Sequence, residues 1–264
     1  AIFREQGVNG QNEMAAAFIL AGFEASDIHM QDVLDNPSLL EEFQGLAACG
    51  GFSYGDVLGA GGGWSSSIRY NNGVRDAFEH FFNRDETFTF GVCNGCQMLS
   101  NIKDLIPGAE NWPEFLWNES DQFEARLSQV TIAQSKSVLL DGMEGWQIPV
   151  AVAHGEGRAS FAENALKLLS EQNQIAVQFT DNKGVVASSY PLNPNGSPEG
   201  ITGLTSTDGR ATIMMPHPER VFRSQQMSWK SPKWKEYSPW MQIFINAYKS
   251  VSYTHLRAHE TTSD

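Results

Sequence analysis

The residues best suited to chemistry are a cysteine at the end of a short apolar run and a His-Pro-Glu tripeptide much later in the chain. Residues 87–92 are typical of an apolar strand, and Cys93 follows with a glycine on each side, where a helix is expected to begin. The helix dipole stabilises negative charge at a helix N-terminus, and this favours the thiolate form of a cysteine. Cys93 is therefore a candidate nucleophile, and such a nucleophile needs a base.

Cys93 and Cys96 also form a Cys-x-x-Cys pair, which supports a second interpretation. At a helix start this spacing is typical of thiol-redox proteins of the thioredoxin type. The pair is only a weak indication of a zinc site, because such sites usually have four ligands and Cys49 is the one remaining cysteine. We therefore expect no metal site. The spacing alone leaves a redox pair and a single nucleophile equally supported.

His217 and Glu219 favour the single nucleophile. They follow an apolar strand predicted over residues 211–215, at the edge where a parallel sheet places its functional loops. In an extended segment, residues i and i+2 point the same way, so Glu219 can hold the second ring nitrogen of His217. The three residues would then act as nucleophile, base and orienting group in chain order, which a thioredoxin-like pair does not require.

Backbone groups near Cys93 could stabilise a developing oxyanion. Gly50 and Gly51 follow a neighbouring strand and can bring bare N–H groups close to a substrate. The amide of Asn94, the residue after the nucleophile, is the natural second donor, by analogy with the elbow of serine hydrolases. Residues 154–158 form another polar cluster, for which we expect a structural or substrate-gating role.

Composition limits the classes of function. The chain has 264 residues, 41% of them hydrophobic, and a formal net charge of −13. This charge argues against nucleic-acid and anionic-membrane partners, since both would repel the protein. No apolar stretch approaches the roughly 20 residues that span a bilayer. Three cysteines do not make a disulfide framework, so we expect a cytoplasmic protein.

The elements that must position these residues alternate between strand and helix. Apolar runs and helical stripes alternate through the first half, which predicts βαβ units around a parallel sheet. The second half adds strands typical of antiparallel pairing with one solvated face. We predict one α/β domain over residues 1–248 with antiparallel additions. The glycine-rich stretch 59–63 is expected to be a flexible loop, and residues 249–264 an unstructured, non-native tail.

Together these motifs resemble the class I, or triad, glutamine amidotransferases. The match is Gly91-x-Cys93-x-Gly95-x-Gln97, joined to His217-x-Glu219 more than a hundred residues later. The chain is more narrowly similar to the C-terminal glutaminase domains of phosphoribosylformylglycinamidine synthases. That similarity spans residues 1–248 and rests on six segments: residues 3–10, 50–56, 91–97, 154–158, 194–197 and 214–220.

The resemblance implies a flavodoxin-like, mostly parallel sheet flanked by helices, and a glutaminase activity. Cys93 would form a γ-glutamyl thioester with L-glutamine. His217 would be its base and later the acid for ammonia, and Glu219 would orient His217. The oxyanion and substrate contacts would come from Gly50, Gly51, Asn94 and Gln97.

The resemblance also implies a partner. Ammonia would pass to a synthetase domain of the same enzyme, which uses ATP and magnesium to form the amidine in purine biosynthesis. We expect no cofactor on this chain itself, and we expect the chain to be the C-terminal part of a larger fused synthase. The alternative functions are a thiol-redox protein that uses Cys93 and Cys96, and a catalytically silent partner-binding domain.

Overall fold

The fold is that of a computed structural model, which describes the backbone of residues 1–260 and the side chains of residues 1–252. The strands are β1 (Ile2–Arg4), β2 (Asp27–His29), β3 (Gly45–Ala48), β4 (Phe88–Val92), β5 (Glu114–Leu116), β6 (Glu124–Ile132), β7 (Gln147–His154), β8 (Arg158–Ser160), β9 (Ile175–Phe179), β10 (Ile201–Thr205) and β11 (Ala211–Met214). The α-helices are α1 (Gln11–Ala21), α2 (Met30–Asp35), α3 (Gly62–Arg69), α4 (Asn72–Asn83), α5 (Asn94–Asn101), α6 (Ala165–Glu171) and α7 (Met241–Glu260).

The central sheet has nine strands in the order β2-β1-β3-β4-β11-β10-β9-β6-β7. Neighbours from β2 to β11 pair in parallel, and those from β11 to β7 pair antiparallel. The order of the first four strands is that of a flavodoxin-like sheet. The predicted α/β fold with antiparallel additions is therefore confirmed. The carboxyl ends of β3, β4 and β11 lie side by side and carry the candidate residues.

Aromatic side chains pack helices onto both faces of the parallel strands. On one face, the ring of Phe3 in β1 lies 5.1 Å from Trp64 in α3 and 5.5 Å from Phe78 in α4. On the other face, Phe18 of α1 and Phe244 of α7 lie in contact, with ring centroids 5.0 Å apart. These large buried rings bury apolar area on both faces of the sheet and so help to hold the layers together.

The last helix corrects the expectation that residues 249–264 are unstructured. Helix α7 continues to Glu260, and Val251 is buried against the core with 5% exposure. Val251 follows Phe244 by two helical turns, so it lies on the same face of the helix. Residues 261–264 lie outside the described residues. Neither α7 nor another helix in the described range has the length and apolar character of a membrane span.

The start of α3 differs from the sequence expectation, and β5 has no counterpart among those expectations. The stretch 59–63 is not a loop throughout, since α3 begins at Gly62 after Gly61 takes a left-handed φ of 71°. In addition, β5 lies within the segment 106–121 and pairs antiparallel with β8, far away in the chain. Both elements are short, and a short strand that pairs with a distant one leaves little periodicity to find.

We expect Phe244→Ala to lower the free energy of unfolding by about 3–5 kcal/mol, because the ring is fully buried where α7 meets the sheet. Urea denaturation measures the change. Tyr70→Ala is the control, since Tyr70 is 82% exposed, and its effect should stay within about 0.5 kcal/mol. Equal losses in the two variants would contradict the docking of α7 on the sheet.

Candidate active site

Cys93 lies at a sharp turn between β4 and α5 and has an unusual backbone conformation. Its φ is 52° and its ψ is −110°, a region that residues with a side chain rarely adopt. Its N–H donates to the carbonyl of Met214 at 3.0 Å. The next turn packs so closely on β3 that a Cβ at Gly95 would lie 2.1 Å from the carbonyl oxygen of Ala48. The turn therefore holds the thiol at the carboxyl edge of the sheet.

The thiol is shielded from solvent and lies at the first turn of α5. Cys93 is only 6% exposed, and its Sγ lies 3.9 Å from the carbonyl oxygen of Ala153. Helix α5 starts at Asn94 and is buried from there to Ser100. Its first-turn N–H groups therefore act in a poorly solvated environment, where the helix dipole stabilises negative charge more strongly than in water.

His217 and Glu219 form a buried pair just beyond β11. The ring Nδ1 of His217 lies 2.7 Å from Glu219 Oε1, and the two side chains are 1% and 0% exposed. The N–H of His217 donates to the carbonyl of Ala151 in β7 at 2.8 Å. Because β7 is the far edge of the sheet, this contact means that the antiparallel half curls back over the parallel half. The predicted orienting role of Glu219 fits this geometry.

The charge state of His217 is set by a balance of opposing effects. Burial lowers its pKa, but the negative charges of Glu219 and Cys93, together with the hydrogen bond to Glu219, outweigh burial and raise the pKa to about 9. Its Nε2 atom is buried and forms no hydrogen bond of ordinary geometry with the described residues. This nitrogen is therefore available for proton transfer at the thiol.

Cys93 and His217 meet across Gly50. A Cβ placed on Gly50 would lie 2.7 Å from His217 Cε1 and 3.2 Å from Cys93 Cβ. The carbonyl of Gly50 accepts hydrogen bonds from the N–H groups of Asn9 and Gly10, at 3.0 and 3.1 Å. The position of Gly50 is thus fixed, and only glycine leaves room there for both side chains. The structure brings together the three residues that the sequence predicted as a triad.

Gly51 continues this strand end in a conformation that also requires glycine. Its φ is 154°, and a Cβ would lie 2.4 Å from Val8 Cα. Gly51 pairs with Val8 in an isolated antiparallel bridge. The two hydrogen bonds of this bridge run from the Asn9 N–H to the Gly50 carbonyl and from the Phe52 N–H to the Gly7 carbonyl. The Gly51 N–H takes part in neither bond, so it fits the predicted role of an oxyanion donor.

Asn94 and Gln97 have buried side chains that bind protein groups. Asn94 Oδ1 accepts from the Ser53 N–H at 3.0 Å, and its Nδ2 donates to Asp56 Oδ1 at 3.0 Å and to Gln97 Oε1 at 3.1 Å. Gln97 Nε2 donates to the carbonyl of Glu156 at 2.6 Å. Both ends of the Gln97 amide are therefore engaged, and its contact with glutamine remains a prediction.

The two other cysteines have environments unlike that of Cys93. All three cysteines are free thiols, and Cys49 and Cys96 are fully buried. Burial raises the pKa of each of these two thiols well above its usual range. Thiol–disulfide exchange proceeds through the thiolate, so Cys96 is poorly suited to a redox pair. Its burial at the inner face of α5 indicates packing instead.

A buried polar network beside the site involves residues that the sequence did not connect. His154 Nε2 lies 3.2 Å from Asn195 Oδ1, and Asn195 Nδ2 donates to Asn118 Oδ1 at 2.6 Å. Because this Oδ1 of Asn195 is an acceptor, His154 must donate from Nε2. Burial, with the positive charges of His217 and Arg220, lowers the pKa of His154 to about 3. His154 is therefore a neutral hydrogen-bond donor, and a structural or substrate-gating role for residues 154–158 remains a prediction.

Comparison with known proteins agrees with the architecture. The profile of the CobB/CobQ-like glutamine amidotransferase domain matches residues 1–251. The structure of PurLQS from Thermotoga maritima is similar, with 21% identity, a TM-score of 0.66 and 96% of both chains covered. A putative GMP synthase subunit from Thermoplasma acidophilum has 13% identity, a TM-score of 0.56, and 97% of this chain and 96% of that chain covered. At these identities the structural likeness shows the fold alone.

Glu219→Gln should lower the pKa of His217 from about 9. The substitution removes one of the two negative charges that raise this pKa and leaves the burial, which favours the neutral ring. NMR titration of the imidazole nitrogens measures the shift. His154 is the internal control and should stay neutral at near-neutral pH in both proteins. An unchanged His217 pKa in the variant would rule out Glu219 as its electrostatic partner.

The same pKa shift makes stability depend on pH. The pKa of His217 is raised to about 9 in the folded protein and is about 6.5 in the unfolded chain. Protonation of His217 therefore stabilises the fold fully below about pH 6.5, and this contribution is lost as the pH rises through the folded-state pKa. Urea denaturation should show wild-type stability falling across this window. Glu219→Gln should show a smaller fall, and an equal fall in both proteins would assign it to other groups.

Proposed function

This chain belongs to the CobB/CobQ-like glutamine amidotransferase domain family, and on that premise we propose that it hydrolyses L-glutamine to glutamate and ammonia. The observation that carries the proposal is the meeting of Cys93 and His217 across Gly50, with Glu219 on the far nitrogen of the imidazole. Nucleophile, base and orienting group in this arrangement are the parts that acyl transfer through a thioester requires.

In the first half-reaction, the Cys93 thiolate attacks the carboxamide carbon of glutamine. The new S–C bond forms as the carbonyl electron pair moves onto oxygen, and the N–H groups of Gly51 and Asn94 stabilise that oxyanion. When the intermediate collapses, the C–N bond breaks and His217 gives its Nε2 proton to the departing nitrogen. Ammonia leaves, and the γ-glutamyl group stays on sulfur.

In the second half-reaction, the now neutral His217 acts as a base. It takes a proton from water, whose oxygen attacks the thioester carbonyl through a second oxyanion at the same donors. The C–S bond then breaks, releasing glutamate and the Cys93 thiolate. Glu219 accepts a hydrogen bond from the imidazolium in both halves and keeps Nε2 aimed at the reacting groups.

We further propose that the ammonia serves an ATP- and magnesium-dependent synthetase domain that forms phosphoribosylformylglycinamidine in purine biosynthesis. The support is the agreement of six separated sequence segments with the glutaminase domains of such synthases. The nucleotide and metal chemistry would belong to that partner, and this chain would need no cofactor of its own. We place the reaction in the cytoplasm, where the Cys93 thiol stays reduced.

A diazoketone analogue of L-glutamine should alkylate Cys93 alone, because only this thiol combines access with a neighbouring base. Peptide mass spectrometry identifies the adduct. Cys93→Ala should also reduce glutamine hydrolysis by about a thousandfold or more, as loss of a triad nucleophile does.

Cys96→Ala and Cys49→Ala are the matched controls for this experiment and should keep labelling at Cys93. Adducts spread over Cys49 and Cys96 would contradict the proposed nucleophile. Loss of function in Cys96→Ser, with a reversible disulfide between Cys93 and Cys96, would favour the redox alternative. Absence of turnover with the synthetase present would favour the silent partner-binding domain.

The proposed partner is tested by adding a phosphoribosylformylglycinamidine synthase whose own glutaminase cysteine has been replaced. Product formation from glutamine should then require this chain and its Cys93. Synthesis from ammonium salts should proceed equally with wild-type chain, with Cys93→Ala or with neither, because ammonium bypasses the glutaminase. If glutamine hydrolysis occurs but never supports this product, the partner is wrong and the glutaminase proposal stands.

A further inference from the structure

A closed ring of hydrogen bonds surrounds the nucleophile turn, and none of the catalytic steps above uses it. One part joins Asn94 to the loop at Ser53 and Asp56, and another joins Gln97 to Glu156. The ring closes because Glu156 Oε2 accepts from the Ala60 N–H at 3.3 Å. The loop of residues 53–61, the start of α5 and the turn after β7 are thereby linked.

The loop of residues 53–61 is strained where it meets the ring. Tyr54, Gly55 and Asp56 are consecutive left-handed residues, with φ values of 52°, 63° and 54°. Such a run is stable only when contacts outside it hold it in place. The Tyr54 hydroxyl donates to Glu5 Oε2 at 2.8 Å, and Asp56 accepts from Asn94 Nδ2. The hydrogen bond of Asp56 therefore links the strained loop directly to the nucleophile turn.

Asp56 is held in an electrostatically unfavourable place. Burial raises the pKa of its carboxyl, hydrogen bonds from Asn94 and the Gly61 N–H lower it, and the charge of Glu156 raises it again, so that the net shift is upward. A carboxylate kept beside a second carboxylate and partly out of water costs free energy unless its hydrogen bonds compensate. Of those bonds, the one from Asn94 reaches the nucleophile turn.

We propose that Asp56 is a positioning residue for the glutaminase reaction and acts through Asn94. The Asn94 side chain is anchored at three points, to Ser53, Asp56 and Gln97. Fixing this side chain fixes the peptide between Cys93 and Asn94, whose N–H would bind the oxyanion. This inference rests on the proposed function and adds a residue that touches no reacting atom.

The consequence of losing Asp56 follows from the buried amide it binds. Without the carboxylate, one proton of the Nδ2 group of Asn94, a fully buried residue, loses its acceptor. Asn94 would then turn to regain a partner and would move its own N–H away from the oxyanion. Substrate binding in the ground state depends less on this N–H than the transition state does.

Steady-state glutaminase kinetics of Asp56→Ala test the proposal. We expect kcat to fall about 10- to 100-fold and KM to change less than about threefold, the pattern of a misaligned transition-state donor. Asp56→Asn keeps an acceptor oxygen and tolerates the left-handed backbone, so it should restore most of the activity. Asp121→Ala is the matched control, because Asp121 also has a φ of 54°, and its kcat should equal that of wild type.

Coupling to Asn94 separates positioning from a general structural role. Asn94→Ala removes the same hydrogen bond from the other side and keeps the backbone N–H, so it should lower kcat to a similar extent. Adding Asp56→Ala to Asn94→Ala should then have little further effect. If Asp56→Ala fails to fold, two other variants provide the test. The kcat should fall in Asn94→Ala and should not fall in Asp56→Asn.

The positioning role and the proposed function would be overturned by different results. If wild type hydrolyses glutamine and Asp56→Ala has the same kcat, or only a raised KM, the positioning role is wrong and the proposed function stands. Fully additive effects of Asp56→Ala and Asn94→Ala would also overturn the positioning role. If wild type neither hydrolyses glutamine nor reacts with the diazoketone at Cys93, the proposed function itself fails.

Discussion

The positive φ of Cys93 is the constraint on which the site depends. A conformation of this kind costs about 1–3 kcal/mol and persists only where the surrounding structure enforces it. Here β4 is paired on both sides, by β3 and β11, and α5 is buried from its first residue. Gly95 allows the helix to pack directly against the backbone of Ala48. The central position of β4 in the sheet therefore fixes the position of the thiol.

The two halves of the sheet supply different parts of the chemistry. The parallel half provides Cys93, the proposed nucleophile, and the glycines, and the antiparallel half curls back so that β7 supports the backbone of His217. His217 and His154 are both buried, but their pKa values are shifted in opposite directions. His217 has a carboxylate partner and its pKa is raised, while His154 has only an amide partner and its pKa is lowered. The neighbouring group, and not burial, thus decides which imidazole can transfer protons.

The sequence predicted those parts of the fold and site that depend on local pattern. Cys93, His217 and Glu219 each follow an apolar strand, so their position at one sheet edge could be anticipated. The hydrogen bond from Asn94 to Asp56 could not, since it depends on three consecutive left-handed residues in a glycine-rich stretch. The pairing of β5 with β8 joins two three-residue strands from distant parts of the chain. Helix α7 extends beyond the expected boundary, because Val251 lies two turns after Phe244 on the same apolar face. Polar residues around Val251 make this periodicity hard to see in the sequence.

The burial of Cys96 also affects what happens when Cys93 is oxidised. Many reactive cysteines survive peroxide because a nearby thiolate condenses with the sulfenic acid and forms a reducible disulfide. Cys96 is three residues from Cys93, but burial keeps its thiol protonated, and Cys49 is protonated for the same reason. A sulfenic acid formed at Cys93 therefore lacks an efficient resolving thiol among the described residues. As the proposed nucleophile, Cys93 would depend for its protection on small-molecule thiols in solution or on a substrate bound to its sulfur.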